Sequence, residues 1–201
     1  MKYCILIISL GYISFLYPQD SSIVITLDGI FAEKYITNNP EQDFLSAFED
    51  TLFQSDIDKH KVCKINYDFN FDGIKDIALT DSYLWGAHIG PWEIYLGIEN
   101  SKYSFIGELW FHNDAVKFDS LSYGKSNVTV FDRAGGADVY IVVYILSKDS
   151  IKQIKRNRLH FESFEKMNEA FKKYKFQTLK DSCISVKDYL ENKKIEWIEE
   201  Y

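Results

Sequence analysis

Oxygen-bearing side chains recur with loop-like spacing in Asp68-Phe69-Asn70-Phe71-Asp72-Gly73-Ile74-Lys75-Asp76. They stand at positions 1, 3, 5 and 9, with glycine at position 6. That pattern suits a turn wrapped around one hard cation. Asp68, Asn70, Asp72, Asp76 and the main-chain carbonyl of Ile74 offer oxygen donors in the number calcium takes, with water completing the set. No thiol or imidazole in the segment favours zinc or copper. Gly73 follows Asp72 where the chain must turn sharply, and a Cβ there is penalised if φ is positive. The competing reading is an acidic turn, since Asp, Asn and Gly favour turns without any metal.

A helix-loop-helix calcium site would need a bidentate glutamate at position 12. Leu79 stands there, inside the run Asp76-Ile77-Ala78-Leu79-Thr80, which reads as a strand. The expectation is a calcium loop that feeds a β-strand. Carboxylates that saturate an ion leave few open coordination positions, so its role is structural rather than catalytic.

The elements that must hold this loop are mostly strands. With 14 tyrosines and 15 phenylalanines the 201-residue chain favours β-structure, and a 46% hydrophobic composition supplies a core for a single domain over residues 20–201. Strands are expected at Ile23–Leu27, Val62–Tyr67, Asp76–Thr80, Trp92–Glu99, Tyr103–His112, Asn127–Arg133, Val139–Ser147 and Ile151–Leu159. Trp92, Ile94, Leu96 and Ile98 share one strand face, opposite Glu93, Tyr95 and Gly97. Val139–Leu146 is apolar on both faces, as in a covered central strand. Asn39-Pro40 opens an amphipathic helix marked by Phe44, Phe48 and Leu52. Phe164, Met167, Ala170, Phe171 and Tyr174 mark a second helix, and Ser185-Val186-Lys187-Asp188 caps a third. The fold class is α+β, predominantly β: an antiparallel meander or partial propeller-like sheet carrying the calcium loop, flanked by an N-terminal helix and C-terminal helices.

The N-terminus speaks to location. Lys2 precedes the apolar run Cys4–Tyr17, which ends at Pro18-Gln19-Asp20. The run is short for a bilayer span and matches a secretory signal over residues 1–19, so the chain is expected to be periplasmic or secreted. Small residues are missing before the cleavage point, and an uncleaved segment would be the one route to a membrane. Cys4 stands at the start of the apolar run, where a lipoprotein signal would place it after. Removal of the signal leaves Cys63 and Cys183, an even pair for a disulfide in an oxidising compartment, or two unrelated buried thiols. Outside the cytoplasm, free calcium can saturate even a weak site.

A net charge of −7 with scattered basic residues argues against nucleic acid as a partner. Enzyme signatures are weak: His60, His88, His112 and His160 form no HExxH pair, and there is no GxSxG elbow or phosphate-binding glycine loop. Glu93, Glu108, His112 and Asp114 would form an acid/base group only if strand registers brought them together. For recognition, Ser82–Trp92 combines glycines with Trp85, His88 and Trp92, and Asp132–Asp138 carries Arg133, Gly135 and Gly136 ahead of Tyr140. The alternatives are that the tryptophans cap the core and that Gly135-Gly136 is a hairpin turn.

Asp68-Phe69-Asn70-Phe71-Asp72-Gly73, Asp76-Ile77, Trp92–Gly97, Phe105 and Leu109 together resemble two patterns. One is the calcium loop of FG-GAP and VCBS repeats. The other is that of bacterial periplasmic calcium-binding proteins similar to lysozyme inhibitors. A propeller needs several motif-bearing blades, and one motif in a chain this long favours the single-copy family. The resemblance spans about residues 60–146. It implies Ca²⁺ ligation by Asp68, Asn70, Asp72, Ile74 and Asp76. It also implies that Arg133, Gly135, Gly136 and Tyr140 correspond to a loop that blocks a glycosidase cleft, although the serine of that loop is missing here. The expected function is an exported, non-catalytic, calcium-stabilised module that binds another protein. The alternatives are an inhibitor or immunity protein against a peptidoglycan hydrolase, and a calcium-dependent hydrolase.

Overall fold

The computed structural model describes residues 22–25, 31–49, 56–85, 89–135, 138–192, 195 and 197–199. The expected signal at residues 1–19, Leu52, His88 and Gly136 lie outside the described residues. In chain order the elements are β1 (Ser22–Ile25), β2 (Phe31–Lys34), β3 (Ile36–Thr37), α1 (Pro40–Ser46), β4 (Lys61–Tyr67), β5 (Asp76–Asp81), β6 (Gly90–Ile98) and β7 (Lys102–Phe111). Then come β8 (Val116–Ser122), β9 (Lys125–Gly135), β10 (Asp138–Ser147), β11 (Ser150–His160), α2 (Phe164–Tyr174), β12 (Asp181–Ser185), α3 (Val186–Asn192) and β13 (Ile198–Glu199).

The chain is mostly β, in two larger antiparallel sheets with a few helices and no closed barrel among the described residues. One sheet runs β13-β12-β4-β5-β6-β7-β3, the other β11-β10-β9-β8, and β1 pairs with β2 in a separate hairpin. Successive strands pair through short connections from β4 to β7 and again from β8 to β11, which is the meander expected from the sequence. Five strands go beyond that expectation: β2, β3, β8, β12 and β13. The alternation of Val116 and Phe118 with Lys117 and Asp119 carries β8. The short, polar β12 exists because Asp181–Ser185 pairs with Ile65–Lys61 across the chain.

The main core lies between the two sheets. Ile65, Ala78, Trp92, Ile94, Leu96, Leu109 and Phe111 face Val116, Phe118, Val128, Val130 and Leu146 across it. Alternation along each strand puts the opposite residues on the outer faces. On one of these, Leu45 of α1 and Tyr189 of α3 cover Val62, Ile77, Leu79 and Tyr95. On the other, Met167 of α2 covers Phe131, Val139 and Ile141. β5 is buried along its whole length, because it is central in its sheet and covered on both sides.

Local chemistry sets the helix ends. The Asn39 side chain accepts from Gln42 N ahead of Pro40, Ser163 accepts from Lys166 N, and the Ser185 hydroxyl accepts from Asp188 N. Cys63 and Cys183 stand directly opposite one another on β4 and β12 and are joined by a disulfide.

Candidate metal centre

The acidic segment is the connection between β4 and β5, closed by the pairing of Tyr67 with Asp76. Its oxygens organise the turn. The Asp68 carboxylate accepts from Asp72 N at 3.1 Å and Gly73 N at 2.9 Å, Asn70 Oδ1 accepts from Asp72 N at 3.0 Å, and Asp72 Oδ1 accepts from Ile74 N at 2.8 Å. Each is a short side chain bonding backbone a few residues ahead, which fixes its rotamer and draws the oxygens of positions 1, 3 and 5 onto one turn. Asn70 Nδ2 donates to Asp72 Oδ2, which assigns the amide oxygen to the backbone side. Gly73 has φ of +84° with open space around it, so its requirement is conformational. Phe71 holds φ of +58°, a sparsely populated conformation for an aromatic residue, between two of the donors.

The turn is tied to both sheets through Phe69. Its ring is buried in the main core, its N–H donates to Asp76 Oδ2 at 2.7 Å, and its carbonyl accepts from Ser126 Oγ of β9 at 2.6 Å. Asp76 is fully buried, and its other oxygen accepts from Gly97 N at 2.8 Å on β6. Gly97 also permits the close approach itself: a Cβ there would lie 2.4 Å from the Lys75 carbonyl oxygen.

Asp76 differs from Asp68 and Asp72 in being fully buried. Like Asp68 it holds a backbone N–H group on each oxygen, and the three carboxylates do not converge as a group within 4.8 Å. A carboxylate has about four lone-pair sites, so Asp76 retains acceptor capacity beyond these two bonds. Burial pushes its carboxyl up to about 7 against the pull of the Gly97 and Phe69 N–H groups, and the charges of Asp72 and Asp68 push the same way. No Lys, Arg or His forms an ion pair with the three carboxylates among the described residues. The donor set of carboxylates, one amide oxygen and the Ile74 carbonyl fits calcium in chemistry. Bound calcium would supply the positive charge that this group of carboxylates lacks.

Comparison with protein-family models, curated proteins and solved structures finds no match for this chain.

The other sequence-selected residues fall in separate places. Trp85 faces inward: its indole N–H donates to Thr80 Oγ1 at 2.9 Å, its ring lies 5.5 Å from that of Trp92, and it presses on Gly90, where a Cβ would meet it at 2.3 Å. Trp92 is fully buried and stacked on Phe111. Arg133 and Gly135 end β9, in register with Val139 and Asp138. Tyr140 lies half-buried on β10 beneath the Arg156 guanidinium, which sits 4.1 Å from its ring centre.

The four residues considered for acid/base work separate into two pairs. Glu93 and Glu108 are directly opposed on β6 and β7. Burial pushes the Glu93 carboxyl up to about 7, opposed by the Tyr95 hydroxyl it accepts from and reinforced by Glu108. His112 bonds Asp114 on the turn before β8, with Nδ1 2.5 Å from Oδ1. Neither glutamate lines the cavities of about 310 and 180 Å³ on the second sheet.

A buried pair missed in the sequence is His60 with Asp81, Nδ1 to Oδ2 2.5 Å, each 3% exposed. Asp81 also accepts from Tyr83 N, and the His60 carbonyl accepts from Val186 N. The pair braces the turn after β5 against the start of α3. Its partners are 21 residues apart, a spacing with no local signature.

Proposed function

We propose that this chain is an exported, calcium-stabilised module without catalytic activity, whose role is to bind another protein. The observation that carries this reading is the β4–β5 turn. Asp68, Asn70 and Asp72 are fixed there by backbone hydrogen bonds, with Asp76 buried beneath them and no protein cation to balance the charge. Such a turn is preorganised for a hard cation, and its ties through Phe69 and Gly97 make the ion a support for the two sheets rather than a reaction centre. The Cys63–Cys183 disulfide supports an oxidising compartment, in keeping with the N-terminal export signal.

The test is thermal unfolding of the purified chain in calcium and in chelator. Calcium raises the midpoint by an amount that follows RT ln(1 + [L]/Kd), and Asp72→Ala removes the increment. An unchanged midpoint together with no heat on calcium titration overturns the metal assignment.

A second reading, inhibition of a peptidoglycan hydrolase, draws on the antiparallel pair β9–β10, in which Gly135 pairs with Asp138 and Tyr140 lies under Arg156. A panel of lysozyme-type enzymes assayed with the calcium-loaded protein tests it. Uniform residual activity removes this reading for the enzymes assayed.

A further inference from the structure

The chain carries a net charge of −7, yet β11 contains Lys152, Lys155, Arg156 and Arg158 and no acidic residue. β11 is also the end strand of its sheet, so one backbone edge of eleven residues pairs with no other strand among the described residues. Residues 152–158 are exposed throughout. Lysines and a bulge on an edge strand ordinarily protect it from unwanted pairing. Both are present, with the register shifting opposite Val143 and Tyr144 and Ile154 left 53% exposed.

Protection alone does not account for Arg156. Arg158 is neutralised by Asp138 at 2.6 Å, whereas Arg156, Lys152 and Lys155 form no ion pair among the described residues. The Arg156 guanidinium is held by Tyr140 and lines the cavity of about 180 Å³ with Trp110, Tyr144 and Gln153. Trp110 is 46% exposed. Aromatic side chains and a positioned arginine beside a small cavity are the composition of an interface anchor. A guanidinium whose hydrogen-bond donors meet no protein carboxylate favours a carboxylate from elsewhere. Asp132 also lines the cavity, but it lies on β9, two strands in from the edge where the cations are.

We infer that the β11 edge receives an extended acidic segment of a partner protein as an added strand, with one of its carboxylates on Arg156. Residues on one face of the added strand meet Arg156 and the cavity, and those on the other meet Lys155 and Lys152, because side chains of β11 alternate between faces and the bulge at Ile154 brings Lys152 to the face of Lys155. The inference rests on the protein-binding reading and specifies the surface and the partner's chemistry.

The probe is a fluorescent peptide of about ten residues alternating glutamate and valine, titrated against the full, calcium-loaded chain at low ionic strength. Saturable binding is expected that weakens by about tenfold or more in Arg156→Glu and falls as salt is raised. The lysine-valine counterpart is expected not to bind. Methylating alternate backbone amides of the acidic peptide is expected to remove binding. No binding of the acidic peptide, or equal binding by Arg156→Glu and by Lys155→Glu, overturns the inference. Undiminished binding of the methylated peptide also overturns it, by reducing the edge to a non-specific cationic patch. Self-association that displaces the peptide and is lost in Arg156→Glu overturns it in favour of a second copy of this chain. The calcium-dependent melting shift of the parent chain keeps the two readings apart: a preserved shift with no binding of the acidic peptide to that chain defeats this inference alone, and a missing shift with peptide binding defeats the calcium assignment alone.

Discussion

The carboxylate of Asp76 accepts the backbone N–H of Gly97 at 2.8 Å, joining the end of the acidic turn to the C-terminal end of β6. Its second oxygen takes the N–H of Phe69, so one buried side chain sets the height of the turn above β6. Asp76→Asn keeps the shape but offers one acceptor where two are needed, and turns an N–H group toward an N–H donor. A loss of about 2–4 kcal/mol is expected, read from the denaturation midpoint at constant slope. A loss below about 0.5 kcal/mol would contradict the bridging role.

Gly97→Ala tests the close approach from the other side. The added methyl would stand 2.4 Å from the Lys75 carbonyl oxygen and 2.6 Å from Ile74 Cγ2, so the backbone must shift. Overpacking of this kind costs about 1–3 kcal/mol. Calcium affinity measured by titration is expected to fall in the same variant, whereas Gly124→Ala, at a turn with open space, should leave affinity unchanged.

Glu93 gives stability a pH dependence of definite sign. Its carboxyl is pushed up to about 7 in the folded chain by burial and by Glu108, while in the unfolded chain it ionises near its ordinary value of about 4.5. Below that ordinary value both states hold the proton and the contribution to stability is complete. As pH rises through about 7 it is lost, because the folded state must then ionise a poorly solvated carboxyl. Glu93→Gln is expected to flatten this decline and to be more stable than the parent at pH 8 by about 2 kcal/mol, allowing for partial exposure. Parallel melting curves for parent and variant across that range would refute the assignment.

The Cys63–Cys183 disulfide spans 120 residues of sequence and links neighbouring strands β4 and β12. Cross-linking so long a segment restricts the unfolded chain, and reduction should cost up to about 4–5 kcal/mol in the chain-entropy account. Denaturation with and without reductant measures it. The double variant Cys63→Ala with Cys183→Ala should match the reduced protein, and a midpoint unaffected by reductant would remove the bond from the stability of the fold.

Some features were legible in the sequence because they are local. Trp92, Ile94 and Leu96 alternate with Glu93 and Tyr95, and that period alone placed β6 and its core face. Asn39-Pro40 and Ser185-Val186-Lys187-Asp188 marked the starts of α1 and α3 through side chains that bond backbone nearby. Val116 and Phe118 alternate in the same way, yet β8 is not among the expected strands. β12 carried no such signal, since Asp-Ser-Cys-Ile-Ser becomes a strand only by pairing with β4.

The sequence by itself determined that oxygen donors gather between Tyr67 and Ile77, because Asx side chains bond the backbone a few residues ahead wherever the fold lies. It also determined a predominantly β chain with helices near both ends, since side-chain periodicity is a local property. Only the tertiary structure decided that Asp76 reaches across to Gly97, that Trp85 turns inward onto Gly90, and that Arg156 rests on Tyr140 beside an open sheet edge. Each depends on strand register and sheet packing, where residues far apart in the chain become neighbours and burial selects which polar groups must find partners.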